Sequence, residues 1–222
     1  MRNLSFAVGE FYHVYNRGVD KRSIFQDEDD LNRFFQSMSD FNTLDPIGSI
    51  YERSFVKEDQ LGSSASKLVN FVAYCLNFNH YHFLVEQVAE EGVQKFMHRL
   101  ATGYTKYFNE KQDRSGALFQ GRFKAIHVET NEYLLQVSAY VNLNDRVHQR
   151  GIEYLAATEI PSRSSWDEYG AVGVPGSGFC EKKIIVEQFG RPQEYLAFAE
   201  ETVGDIIRRR KENKALELLL LE

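Results

Sequence analysis

The sequence predicts an α+β fold: an antiparallel sheet of ferredoxin-like (RRM-like) type with helices packed on one face, continued by a helical C-terminal extension. Three observations carry this expectation. The segments of the first 150 residues alternate as strand, helix, strand, strand, strand, helix, strand, helix, an order that suits hairpin-connected strands backed by helices. Two adjacent apolar runs, Phe71 to Leu76 and Phe83-Leu84-Val85, read as paired strands. The chain has 222 residues, enough to bury a substantial core in one domain and to carry an extension. The domain is placed at residues 1–150 and the extension at 151–222.

Element by element, Glu10 to Arg17 reads as a first strand, with a turn at Gly18. A helix follows from about Asp27 to Asn42, with Asp27 as N-cap and Leu31, Phe34, Phe35 and Met38 as its apolar stripe, before Pro46 and Gly48 interrupt the pattern. Ile47 to Val56 is predicted as a second strand, Lys57 to Lys67 as a polar, Ser-rich loop, and Leu68 to Leu76 as a third strand. The tight connection Asn77-Phe78-Asn79 leads into a fourth strand. Helical periodicity then runs from Glu90 to Glu110 through Val93, Phe96, Met97, Leu100, Tyr104 and Tyr107. Phe123 to Val128 is a short strand and Asn131 to Asn144 a helix. Beyond Arg150 the turn-rich segments around Pro161 and from Gly170 to Gly178 precede two helices, near Glu181 to Phe189 and Pro192 to Leu221. The second carries the run Arg208-Arg209-Arg210-Lys211, which reads as a solvated helical face.

Composition narrows the classes. The chain has 17 Phe and 12 Tyr, yet no apolar stretch approaches the roughly 20 residues that cross a bilayer, and Met1 to Ser5 lacks a secretory segment. A soluble cytoplasmic protein that does not engage membranes is expected. Cys75 and Cys180 are too far apart for zinc spacing or a disulfide framework and read as reduced thiols. The net charge of −6 argues mildly against nucleic acid as a partner. Its distribution softens that objection, because residues 151–222 hold 13 acids and 9 bases, whereas Ala101 to Ile126 carries Lys106, Lys111, Arg114, Arg122 and Lys124 against only Glu110 and Asp113.

The chemistry-bearing motif is His80-Tyr81-His82. Side chains alternate along a strand, so the two imidazoles share a face and are close enough to share one divalent metal. A strand histidine is more often hydrogen-bonded or exposed than ligating, so the motif needs support elsewhere. In the helix Asn131 to Asn144, Leu134, Leu135, Val137, Ser138 and Val141 gather on one side, while Tyr133, Gln136, Tyr140 and Asn144 fall along another. That spacing sets the Tyr140 phenol between two carboxamides, though a half-buried tyrosine with two solvated amides would show the same pattern.

Four motifs occur in order: Tyr12-His13-Val14-Tyr15-Asn16-Arg17-Gly18; Asn79-His80-Tyr81-His82-Phe83-Leu84-Val85; Leu118-Phe119-Gln120-Gly121-Arg122-Phe123-Lys124; and Tyr133-Leu134-Leu135 with Tyr140-Val141-Asn142-Leu143-Asn144. In these the chain resembles the HUH single-tyrosine transposases, most of all the branch associated with repetitive extragenic palindromes. The resemblance covers Phe11 to Val147, and Ser164-Ser165-Trp166 and Gln188-Phe189-Gly190 look like pieces of that branch's C-terminal part. It implies Tyr140 as nucleophile, His80 and His82 as metal ligands and Asn144 as a third ligand, with Mg²⁺ or Mn²⁺ as the cation. A phenol with a pKa of about 10 is a poor nucleophile at neutral pH and benefits from a phosphate already polarised by a cation. The family also implies a 5′-phosphotyrosine link with a free 3′-OH, single-stranded or hairpin DNA as substrate, and, from the wider family, dimers that share active sites, which leaves monomer or homodimer open here.

Two departures from the family pattern lie just past the tyrosine: Asp145 where Pro is common, and Asn142 where His is frequent. The first extends or redirects the helix end, and the second removes an acid, base or phosphate contact. Lys106, Arg114, Arg122 and Lys124 are candidates for phosphate contacts, and Tyr104, Tyr107 and Phe119 for stacking on unpaired bases, with core packing the competing role for the aromatics. His13 could approach the metal from a neighbouring strand or serve structurally. The leading expectation is a metal-dependent DNA endonuclease and strand transferase. A module that keeps the fold and binds DNA hairpins without turnover is the alternative. A two-histidine phosphoesterase would want two separate His-x-Ser/Thr motifs, and no such pair is present.

Overall fold

The computed structural model describes residues 4–46, 66–149, 162–170 and 178–219. The predicted second strand, Ile47 to Val56, lies outside the described residues. Strand β1 spans Phe11–Arg17 and helix α1 Glu28–Asp40. The Asp27 side chain accepts from the Asp30 backbone N–H at 2.9 Å and so caps α1 as its position before the apolar stripe predicts. Strands β2 (Val69–Asn77) and β3 (His80–Gln87) form a hairpin across Phe78 and Asn79.

Helix α2 covers Gly92–Lys111 and strand β4 covers Lys124–Val128. A side chain at Gly92 would place its Cβ 2.2 Å from the Leu68 carbonyl oxygen, so only glycine lets α2 start this close to β2. Helix α3 (Asn131–Asn142) is capped by Thr130 and ends at Asn142, two residues before the predicted end. Leu143 leaves helical geometry (φ −112°, ψ 22°), and a short helix α4 restarts over Asn144–Gln149. Asp145 is the second residue of this helix.

The later elements are β5 (Arg163–Ser164), α5 (Trp166–Gly170), α6 (Lys183–Val186) and α7 (Pro192–Leu219). The C-terminal region is therefore not purely helical, because β5 adds an edge strand. It pairs with β2, and Ser165 Oγ both accepts from the Tyr74 N–H (2.9 Å) and reaches the Tyr74 carbonyl (3.2 Å).

The sheet is fully antiparallel in the order β4-β1-β3-β2-β5, and the α+β class holds. The expectation that the helices share one face is corrected. Leu31, Phe34 and Met38 of α1 and Phe96, Leu100 and Tyr104 of α2 pack on Tyr12, Val14, Tyr81, Phe83 and Val85. The opposite face is covered too, by Leu134, Val137 and Val141 of α3 with Tyr195, Ala199 and Val203 of α7, over Val72, Ala73 and Leu84. The cause lies in the strands: β2 is apolar on both sides, which is the composition of a strand buried twice. A bulge between Phe71 and Ala73 turns both Val72 and Ala73 toward α3. Each fully buried large apolar side chain contributes about 1.5–3 kcal/mol, so neither layer is dispensable.

Candidate active site

Strand alternation sends His80, His82 and Leu84 to the face under α3, while Tyr81, Phe83 and Val85 enter the α1–α2 core. Register supplies their neighbours. His82 lies opposite Tyr15 of β1 and Cys75 of β2, and His80 lies opposite Arg17 and Asn77. Tyr15 stacks on His82 with ring centroids 5.4 Å apart. His13, two residues before Tyr15 and on the same face, brings Nε2 to 2.8 Å from His82 Nδ1. Burial lowers the His13 pKa to about 4, so its ring is neutral at pH 7 and the two imidazoles meet as one donor and one acceptor. This contact fixes the orientation of His82 in the way outer hydrogen bonds orient metal-bound histidines.

Helix α3 presents Tyr140 to the same face. Its ring stands edge-on to His82 at 5.5 Å and to His13 at 5.8 Å. Past the break at Leu143, the first residue of α4 is Asn144, whose side chain is completely buried. Its Oδ1 lies 3.1 Å from His80 Nε2 and 3.1 Å from Asn77 Nδ2, while its Nδ2 is buried with no hydrogen-bond partner. From α7, Arg210 Nη2 donates to the Tyr140 hydroxyl at 3.4 Å, with the guanidinium 5.9 Å from the ring centroid.

The structure thus brings Tyr140, His80, His82 and Asn144 onto one face of the sheet. Gln136, the other carboxamide flanking Tyr140 in sequence, is exposed, and so is Tyr133. Among the described residues no three His, Cys, Asp or Glu side chains converge as a metal cage, so a cation here draws on amide oxygen as well as imidazole nitrogen. The Asn144 oxygen beside His80 Nε2 fits that donor set.

The basic candidates separate. Lys124 lies opposite Tyr15, in the same cross-strand row as His82, and is exposed. Arg122 is exposed in the approach to β4, in the segment that Gln120 ties to β1 through its N–H on the Arg17 carbonyl. Lys106 is exposed on α2, which covers the opposite face of the sheet. Arg114 is engaged within its own loop, donating to Asn109 Oδ1 (2.6 Å) and the Ala117 carbonyl (3.1 Å). Tyr104 and Phe119 are core residues. Tyr107 packs against that core and donates to Asp30.

Asn142 faces away from the site. It is fully buried, donates to the Tyr195 hydroxyl at 2.7 Å and accepts from Ser165 Oγ at 2.5 Å. The departure at this position is thereby absorbed into the contact between α3 and the C-terminal region. Asp145 accepts from Ser162 Oγ at 3.2 Å, and its second oxygen is buried without a partner. Sequence reasoning missed Asn77, Tyr15 and Arg210. Asn77 was legible only as hairpin turn, and Arg210 only as part of a basic run. The signal for Arg210 is spacing: Tyr195, Ala199, Val203 and Ile207 recur every four residues and dock α7, and Arg210 follows at three.

Comparison with known proteins agrees with the motifs. Residues 54–144, which contain both histidines, Tyr140 and Asn144, match the family described as IS200-like transposases. Among solved structures the chain is similar to a REP-associated tyrosine transposase bound to a REP hairpin, with 10% sequence identity and a TM-score of 0.52 over 79% of this chain and 87% of that one. No curated protein matches. The resemblance to single-tyrosine transposases therefore rests on the motifs and on a family match over part of the chain, to which the solved structure adds a likeness of fold. Among the described residues no helix is long and apolar enough to cross a membrane.

Proposed function

We propose that this chain, similar to IS200-like transposases, is a DNA-nicking and strand-transfer enzyme acting on single-stranded or hairpin DNA with Tyr140 as nucleophile. The observation that supports it is the convergence on one sheet face of the Tyr140 ring, 5.5 Å from His82, with His80 Nε2, 3.1 Å from Asn144 Oδ1. His80, His82 and Asn144 would hold Mg²⁺ or Mn²⁺, which would polarise the scissile phosphate and offset its charge. The Tyr140 oxygen, its proton passed to water, attacks phosphorus, a phosphotyrosine bond forms as the bond to the 3′ oxygen breaks, and that oxygen leaves as a 3′-OH after taking a proton from water. Arg210, which donates to the phenol, holds the oxygen in line and offsets the negative charge it gains on losing its proton. The reverse attack by a 3′-OH rejoins a strand without ATP, because the phosphodiester energy is kept in the tyrosine link. Lys124 and Arg17 border this face, and with Arg122, exposed just before β4, they would carry the DNA backbone.

The test is covalent capture. Wild-type protein incubated with labelled hairpin DNA and Mn²⁺ should yield a protein–DNA band on a denaturing gel, and Tyr140→Phe should abolish it while hairpin binding persists. Capture that survives the substitution would reassign the nucleophile, with Tyr133 the next candidate. Tight hairpin binding by wild type with no cleavage in Mg²⁺ or Mn²⁺ would leave a binding module instead.

A further inference from the structure

Asn77 ends β2 directly opposite His80, and its side chain is 5% exposed. Its Nδ2 is 3.1 Å from His80 Nε2 and 3.1 Å from Asn144 Oδ1, which are themselves 3.1 Å apart. Three polar atoms from β2, β3 and α4 therefore form an equilateral triangle.

Proton bookkeeping identifies what the triangle is suited to hold. The Asn79 side-chain oxygen Oδ1, 2.6 Å from His80 Nδ1, can only accept, so a neutral His80 has its ring proton on Nδ1 and a lone pair on Nε2. Asn144 Oδ1 is a second acceptor facing the same point. Two acceptors this close repel unless positive charge lies between them, and here the Asn77 –NH₂ supplies one hydrogen to each. The same dimensions describe the face of an octahedron, since ligands about 2.2 Å from a hard divalent cation and at right angles to one another stand about 3.1 Å apart. Turning the Asn77 amide half a turn about its terminal torsion exchanges Nδ2 for Oδ1, and such sp³–sp² torsions have two broad wells of this kind. The third corner then changes from donor to acceptor.

We propose that Asn77 is a cation ligand of this site, its Oδ1 joining His80 Nε2 and Asn144 Oδ1 as one face of the coordination sphere. The inference rests on the metal-dependent reading above. Neutral ligands alone bind Mg²⁺ or Mn²⁺ weakly, so the loss of one is measurable.

Mn²⁺ binding to the full chain, without DNA, tests it by the electron paramagnetic resonance signal of free Mn²⁺, with circular dichroism melting as the folding control. Asn77→Ala should weaken Mn²⁺ binding tenfold or more. Asn77→Asp, which offers oxygen in either orientation and adds charge, should bind at least as tightly as wild type. Unchanged affinity in both variants overturns the proposal, and so does weakening in both, which would make Asn77 a hydrogen-bond donor that only positions His80 and Asn144. Wild-type binding that His80→Ala leaves unaltered, or no wild-type binding at all, instead removes the metal reading itself and the proposal with it.

Discussion

Replacing Tyr195 by Phe tests how the nucleophile helix is held. Tyr195 is fully buried between α3 and the C-terminal region, its ring 4.7 Å from that of Tyr169. The substitution keeps that packing and removes a single oxygen, which accepts from Asn142 Nδ2 at 2.7 Å and lies 3.2 Å from Ser138 Oγ. Ser138 loses little, because its hydroxyl also donates to the Leu135 carbonyl at 2.7 Å. Asn142 Nδ2, by contrast, loses the acceptor 2.7 Å away while it stays buried, and an unsatisfied buried donor costs about 1–3 kcal/mol. Urea unfolding followed by far-ultraviolet circular dichroism should place Tyr195→Phe about 2 kcal/mol below wild type, with a lower midpoint and an unchanged slope. Adding Asn142→Leu should recover part of the loss, since two apolar partners replace a broken polar pair. A loss below about 0.5 kcal/mol, the range of an indifferent surface change, would refute the hydrogen-bond network as described.

Arg210→Ala should slow covalent capture about tenfold, the modest end for removing one charged donor given its 3.4 Å bond, while the hairpin dissociation constant hardly moves; a parallel loss of binding would make Arg210 a DNA contact instead. Lys124→Ala should lower the salt dependence of hairpin binding by about one counterion, whereas Lys106→Ala, on the opposite face, should leave the slope unaltered, and the reverse result would move the DNA to the α2 side. The Asp27 carboxylate is held below its ordinary pKa by the Lys111 ammonium and by the Asp30 N–H, so its stabilisation is present above about pH 4 and fades as acid protonates it. Asp27→Ala should cost about 1 kcal/mol at pH 7, and the gap from wild type in chemical unfolding should close below about pH 4; a gap that persists in acid would show that the carboxylate charge does not carry it.

What could be read in advance followed from periodicity. Alternation placed His80 and His82 on one face, and a single acidic residue before an apolar stripe gave the start of α1, whereas the helical spacing that groups Tyr140 with Asn144 does not span the break at Leu143. What could not be read depends on partners distant in sequence. The second helical layer needs α7 to find α3, and the Tyr195, Ala199, Val203 stripe does not say which surface it meets. Residues near Pro161 look like loop, yet Arg163 and Ser164 become strand because β2 has an open edge whose backbone groups need partners. Asn142 looked like a lost catalytic group because spacing along one helix does not tell which neighbour covers each side, and Tyr195 and Ser165 cover that one. Asn77 was hidden because a turn-forming residue type explains itself locally.

The one-residue interruption at Leu143 separates two anchorages that an unbroken helix would fuse. In a continuous helix, residues four apart are locked about 6 Å along the axis, whatever surrounds them. Here the phenol rides on a rod clamped by the C-terminal helix, whereas the carboxamide beyond the joint takes its seat from the sheet, through His80 and Asn77. The gap between attacking oxygen and ligand cluster is thereby a matter of tertiary fit, adjustable by repacking around a buried leucine without altering either reacting group.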